Sequence, residues 1–313
     1  MTEHRTERLG VEAFQALFDR CSNWGRWGAD DERGTLNLIT PEHRVRAAGL
    51  VREGFTVSCA HPINTVADID NPSPAAHFMV RAGDVVDEEI AWTADHLAIS
   101  PHGAAYSHLD GLCHFVWQGK MYNGRPGSLV SSTGARANTI TIGQDGIVSR
   151  GVLLDIPRHL GIDWLELDHA ITVAELEGAE AAAGLRVQTG DILLVRTGRH
   201  ARRNALGPWD AHVALAGLHH EAAPWLKERG VALLGCDGVS DVRQHAFEAP
   251  RQPIHVLTLV AMGMQLLDNQ NLEELAAACA ARGVDPVPWT PKIGDAGPRG
   301  GSPHAEKSSA VPG

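Results

Sequence analysis

Four short apolar runs constrain this chain more than anything else in it. They are GVLLDIP at 151–157, TGDILLVRTG at 189–198, VALLGCDGVSD at 231–241 and MQLLD at 264–268. Each is bracketed by glycine, proline or aspartate. A strand with one wet face alternates apolar and polar residues, whereas a strand covered on both faces reads as an unbroken apolar run. The stretches between these runs carry helix signals. The order strand, helix, strand predicts an α/β fold in which one layer of mainly parallel strands is flanked by helices.

The helix signals are local and physical. Thr172 and Glu175 form a capping box, in which each side chain satisfies the other's backbone N–H, ahead of a helix ending near Gly184. A further helix begins over His219 to Lys227. The run from Ile254 starts as a helix that Gly263 ends, and Asn271 is placed to cap a last helix, LEELAAACAAR. Near the start, Val11, Phe14, Leu17 and Phe18 have helical spacing. Thr40 and Pro41 open a second helix, expected to run to about Arg52. Residues 55–63 and 76–83 read as strands, and 123–150 as loops and small strands. These readings give one domain over 1–285, with an N-terminal helical segment over about 10–53, and a Pro- and Gly-rich tail over 286–313, extended or disordered beyond about Lys292.

Composition removes some function classes. The 313 residues suffice for a sizeable core. A net charge of −11 with no Lys/Arg run argues against a nucleic-acid partner. The five cysteines, Cys21, Cys59, Cys113, Cys236 and Cys279, form no C-x-x-C pair and fit reduced thiols in a cytoplasm. MTEHRTERLG lacks the apolar core of a signal peptide, and no apolar run approaches the roughly 20 residues that span a bilayer.

The chemistry concentrates in PHGAAYSHLDGLCHFVWQGKMY, residues 101–122. His108 and Asp110 are two apart and share a face if the chain is extended. Asp110 and His114 are four apart and meet if a helical turn begins there. A change from extended to helical at Asp110 therefore aims three polar side chains at one point, with His102 just upstream. Imidazole and carboxylate bind zinc, manganese or iron, and imidazole is the usual general base near neutral pH. The competing reading is a polar loop whose histidines cap backbone groups; the density of the cluster favours the metal or catalytic one. Cys113 neighbours His114 in sequence and so points elsewhere, which disfavours a Cys–His nucleophile. No G-x-S-x-G is present for a serine nucleophile, and GDILLVRTG lacks phosphate-loop spacing. Trp24 and Trp27 lie on a glycine-rich loop, where they either line a pocket or plug the core.

This stretch resembles the signature of the cyclase-type metal-dependent hydrolases, H-x-G-T-H-x-D-x-P-x-H, a family that includes bacterial kynurenine formamidase, isatin hydrolase and some polyketide cyclases. His108, Asp110 and His114 match, and Ser107 stands in for threonine. Ala104, Tyr106 and Leu112 replace the first histidine, the glycine and the proline. NWGRWGADDERGTLNLIT, GDILLVRTG and a late histidine extend the likeness over roughly 20–280.

The resemblance implies a swivelling β/β/α single domain with a mixed sheet and flanking helices, and commonly a homodimer or larger homo-oligomer. It implies metal ligands at His108, Asp110, His255 and Asp268, the last in place of the usual glutamate, and a general acid/base at His114. Ala104 removes one ligand of a second ion, so one divalent cation, zinc or manganese, is expected. His102 either substitutes as a ligand or contacts substrate. The implied activity is hydrolysis of a C–N or C–O bond at a carbonyl, in a small amide, cyclic amide or lactone, with Trp24, Trp27 and Trp117 as candidate contacts to a flat substrate. The alternatives are a polyketide-type cyclase using the same site, or a non-catalytic binding protein.

Overall fold

In the computed structural model the described residues are 10–85, 92–243, 250–283 and 287–289. The four apolar runs form the centre of a mixed sheet. They are β4 (Ser149–Asp155), β5 (Ile192–Arg196), β6 (Leu233–Cys236) and β7 (Leu266–Asp268). These four are parallel to one another. An antiparallel strand closes each edge: β3 (His108–Asp110) beside β7, and β8 (Val287–Trp289) beside β4. The tail therefore contributes one strand, where an extended or disordered segment was expected only further on. Its Pro288 sits on an edge, where a missing N–H costs no ladder hydrogen bond. A separate two-stranded ribbon joins β1 (Ala76–Arg81) to β2 (Ala94–Ala98).

The alternation of side chains explains why the runs had to be apolar throughout. Val152, Leu154, Leu193, Val195, Leu234 and Leu266 point into one core, against α1 (Val11–Cys21), α3 (Val173–Ala182) and α5 (Ala222–Arg229). Leu153, Ile192, Leu194, Leu233 and Leu267 point into the other, against α6 (Glu273–Arg282) and the Leu36–Ile39 segment. Each buried Leu or Ile contributes about 1.5–3 kcal/mol.

Several expected boundaries shift. Residues 55–63 form no strand; Val57 and Cys59 pack against the second core from an irregular path. Helix α2 (Pro41–Ala48) is shorter than expected and opens on a capping box between Thr40 and His43. Helix α6 starts at Glu273 with no side-chain cap, so Asn271 does not take that role; its N–H donates to Cys59 O instead. The helix expected from His219 begins at Ala222. Residues 86–91 and the tail from 290 fall outside the described residues.

Two features fix the site's surroundings. After Pro253 one helical turn becomes a fully buried seven-residue π-helix, Val256–Met262, ended by Gly263 at φ +69°. The chain near Gly34 runs directly over that end. Thr35 N–H donates to Gly263 O at 2.9 Å, and a Cβ on Gly34 would lie 1.9 Å from the same oxygen.

Candidate metal centre

The register of β3 against β7 builds half of the site. Asp268 is paired with His108, and Leu266 with Asp110. Residues opposite each other across an antiparallel pair share a face, as do positions two apart on a strand. His108, Asp110 and Asp268 therefore converge without help from loops. After Asp110 the chain makes a tight turn, closed by the His114 N–H donating to Gly111 O at 2.9 Å. The turn, where a helix was expected, brings His114 back to the same point, with Nε2 3.7 Å from Asp110 Oδ1.

His255 comes from the helical turn before the π-helix. Asp241, at the end of the loop after β6 (Leu233–Cys236), holds it. Its carboxylate accepts from the backbone N–H of Ile254 at 2.7 Å and of His255 at 3.1 Å, and from His255 Nδ1 at 2.5 Å. That bond orients the ring and turns Nε2 toward the cluster. Nε2 lies 3.5 Å from Asp110 Oδ2 and 3.4 Å from Asp268 Oδ2. His108 is held likewise, its Nδ1 donating to Tyr106 O at 2.8 Å while Nε2 lies 3.4 Å from Asp110 Oδ1. Ser240 donates to Asp268 Oδ1 at 2.7 Å, leaving Oδ2 for the centre.

These contacts are too long for good hydrogen bonds, yet they have a common length. A tetrahedral cation bound at about 2.0–2.1 Å sets neighbouring ligand atoms about 3.3–3.4 Å apart. Asp110 Oδ2 is fully buried and makes no hydrogen bond, which a buried carboxylate oxygen rarely tolerates. Ligand atoms form two groups that share Asp110: one with His255 and Asp268, the other with His102 and His108. The donor set is nitrogen and oxygen only, as suits zinc or manganese. By these criteria the residues fit a divalent cation.

The electrostatics agree. Burial alone would push the His255 imidazole down, but Asp110, Asp241 and Asp268 outweigh it and hold the ring well above its ordinary range. Burial would likewise raise Asp110, but the hydrogen bond from His102 and the close His108 and His255 rings hold it well below the usual carboxylate range. Buried negative charge here exceeds what neutral imidazoles can balance. His114 differs: burial, with the neighbouring histidines, lowers its pKa against the pull of Asp110, so it is a neutral base near pH 7.

His102 enters the cluster that Ala104 leaves. Ala104 is packed among Ala211, Leu215 and Val239. His102 Nδ1 reaches Asp110 Oδ1 at 2.9 Å, and its ring stacks on His114 at 3.9 Å with 9° between planes. Trp24 donates to Val260 O and edges Phe18, Trp27 lies under Arg26, and Trp117 edges Phe14. The aromatic ring beside the cluster is Phe115, 4.9 Å from His255 and 5.5 Å from His114. Asp241, Ser240 and Phe115 were not singled out from the sequence. Only Phe115, next to His114, carried a local signal.

An α/β sheet with a His/Asp centre on its antiparallel edge defines a class, and comparison with known proteins says which. The Cyclase family model matches residues 57–241, which include the 102–114 stretch and Asp241. A solved structure described as a novel cyclase is 30% identical, with a TM-score of 0.79 over 86% of this chain and 91% of that one. The chain belongs to the cyclase family. Two solved structures are related more distantly and share the fold: isatin hydrolase A from Labrenzia aggregata bound to benzyl benzoate (21% identity, TM-score 0.51, 73% of this chain and 84% of that one) and isatin hydrolase A from Ralstonia solanacearum (22%, 0.50, 75% and 87%). Comparison with curated proteins gave no match. Among the described residues no helix is long and apolar enough to cross a membrane.

Proposed function

We propose that this chain is a metal-dependent hydrolase that opens a C–N or C–O bond at the carbonyl of a small amide, cyclic amide or lactone. The observation that carries the reading is the buried Asp110 carboxylate, its Oδ2 without a hydrogen bond, in a cluster whose neighbouring ligand atoms are spaced 3.4–3.5 Å apart. His108, Asp110, His255 and Asp268 would hold one divalent cation, zinc or manganese. Such a cation, when bound, makes water acidic enough to attack near neutral pH and polarises a carbonyl.

The chain's own residues supply the rest. His114, neutral and open to solvent on one side, accepts the proton of the attacking water at Nε2. It returns that proton to the departing nitrogen or oxygen as the bond to the carbonyl carbon breaks. His102 stacks against His114 and keeps its plane fixed. Asp241 keeps His255 in one tautomer. Phe115 covers one side and excludes water from the ring faces.

The likeness to isatin hydrolase folds makes isatin the first substrate to try, followed by N-formylkynurenine and simple lactones. Hydrolysis should vanish with chelator and return with zinc or manganese. His114→Ala should cost about 10²- to 10⁴-fold in kcat. Turnover that survives both chelation and that substitution would sink the reading.

A further inference from the structure

The two arms of the site come from distant parts of the chain, and one buried side chain touches both. Asn269 follows Asp268 directly. It is 1% exposed and holds φ at +53°, a left-handed conformation that asparagine tolerates better than most residues. Its Nδ2 donates to Gly103 O at 2.6 Å and to Tyr106 O at 3.2 Å. Its Oδ1 accepts from Arg199 at 2.5 Å, and its backbone oxygen accepts from Ser107 Oγ at 2.6 Å. Arg199, itself buried, donates onward to Ala104 O at 2.6 Å and to Asp237 O at 3.3 Å. Every carbonyl between His102 and Ser107 that these contacts reach is thus held by an Asn269–Arg199 unit anchored on the loop after β6 (Leu233–Cys236). Tyr106 O is the acceptor that also orients His108.

We infer that Asn269 is a positioning residue that locks the His102–His108 loop to Asp268 and so sets the spacing of the ligand atoms. This rests on the reading of the cluster as a cation site. The assignment follows from hydrogen-bond chemistry. The position needs two donors toward carbonyls and one acceptor toward a guanidinium, which a primary amide provides in a single planar group. A carboxylate would satisfy Arg199 but would face two carbonyl oxygens with nothing to donate. Groups that orient metal ligands through a bridging contact are worth about 10- to 100-fold in metal affinity.

The test uses two substitutions that spare the backbone. Asn269→Asp keeps shape and the left-handed preference, and replaces the donors with a negative charge facing the two carbonyls. Asn269→Gly takes φ +53° without strain and removes the whole side chain. Two measurements on each full-length variant separate the possible failures. In the metal-free proteins, amide hydrogen exchange over 103–108 should speed up at least tenfold relative to wild type, while exchange in β5 (Ile192–Arg196) stays unchanged. In titrations with Mn²⁺ alone, followed by the EPR signal of the free ion, both variants should bind at least tenfold more weakly. Unchanged exchange in a folded Gly variant would overturn the lock. Faster exchange with wild-type Mn²⁺ affinity would overturn the positioning role. A wild-type protein that binds neither Mn²⁺ nor competing Zn²⁺ would remove the cation-site reading, and the exchange result would still judge the lock by itself.

Discussion

Asp241 is the residue on which the chemistry of His255 turns. It accepts three hydrogen bonds, two from backbone and one from His255 Nδ1. Asp241→Asn would present an N–H where an acceptor is needed, inviting the imidazole to flip its tautomer and offer a proton toward the cluster. Zinc affinity should fall about 10- to 100-fold, measured by competition with a chromophoric chelator, while far-UV circular dichroism stays native. Affinity equal to wild type would mean that the tautomer is fixed by something else. This residue also marks how far the sequence could be read. His108 and Asp110 were legible because two-residue spacing on a strand has a fixed geometric meaning. Ser107 kept the hydroxyl of the family pattern, and the structure shows why a hydroxyl suffices: it accepts from His61 N–H and donates to Asn269 O. Asp241 and Asn269 were not legible, because no spacing rule links a loop aspartate to a histidine fourteen positions on, or an asparagine to carbonyls across the sheet. His102 was named as a substitute for the histidine that Ala104 lacks, and its ring lies against Asp110; the backbone path that puts it there is not encoded in composition.

Elements were read best where burial was symmetrical. The central strands announced themselves because both faces are covered, and β3 because His108 and Asp110 share a face only along an extended path. The 55–63 segment misled because its alternating apolar residues anchor an irregular chain against a core and no neighbouring strand is there to pair with it. The crossing of Gly34 over the end of the π-helix gives the sharpest test at this scale. Gly34→Ala would force a methyl carbon to within 1.9 Å of Gly263 O, besides holding alanine at φ +55°. Backbone cannot yield as a flexible side chain can, so the loss should be about 3 kcal/mol or more. Gly119→Ala is the control: φ is +76° but nothing lies within 4 Å, so only the conformational term of about 1–2 kcal/mol applies. Urea unfolding of both variants decides it, and equal losses would show that the Gly34 contact is relaxed at little cost.

The whole molecule should be sensitive to mild acid, for a reason outside the metal centre. His61 and His200 face each other with Nε2 atoms 2.7 Å apart. Burial, followed by Arg199 and Arg203, pushes His61 down to about 4. Burial, followed by His61 and the same arginines, pushes His200 down to about 2. In the unfolded chain both titrate near 6.5. Above that value neither state carries the protons and the pair is neutral to stability. Below it the unfolded chain takes up protons that the folded protein refuses, so stability falls as pH drops from about 6.5 toward 4. Each group can cost up to about 1.4 kcal/mol per pH unit. Denaturant midpoints at pH 7, 6 and 5 should decline, and His200→Gln should flatten that decline. A variant with the wild-type pH slope would show that the protons are taken up elsewhere.

The pairing of Asp110 on β3 with Leu266 on β7 also has a consequence for how the protein is made. A ribosome delivers the first ligands long before the last ones; at typical synthesis rates the gap is ~10 s or more. During that interval the early arm has two histidines and an aspartate but no β7 to pair with, and the parallel strands that precede β7 must assemble first. At the candidate centre, the emerging chain lacks Asp268 and the pairing of β3 until β7 arrives. If the candidate centre binds a cation, full affinity would therefore report that β7 has paired with β3.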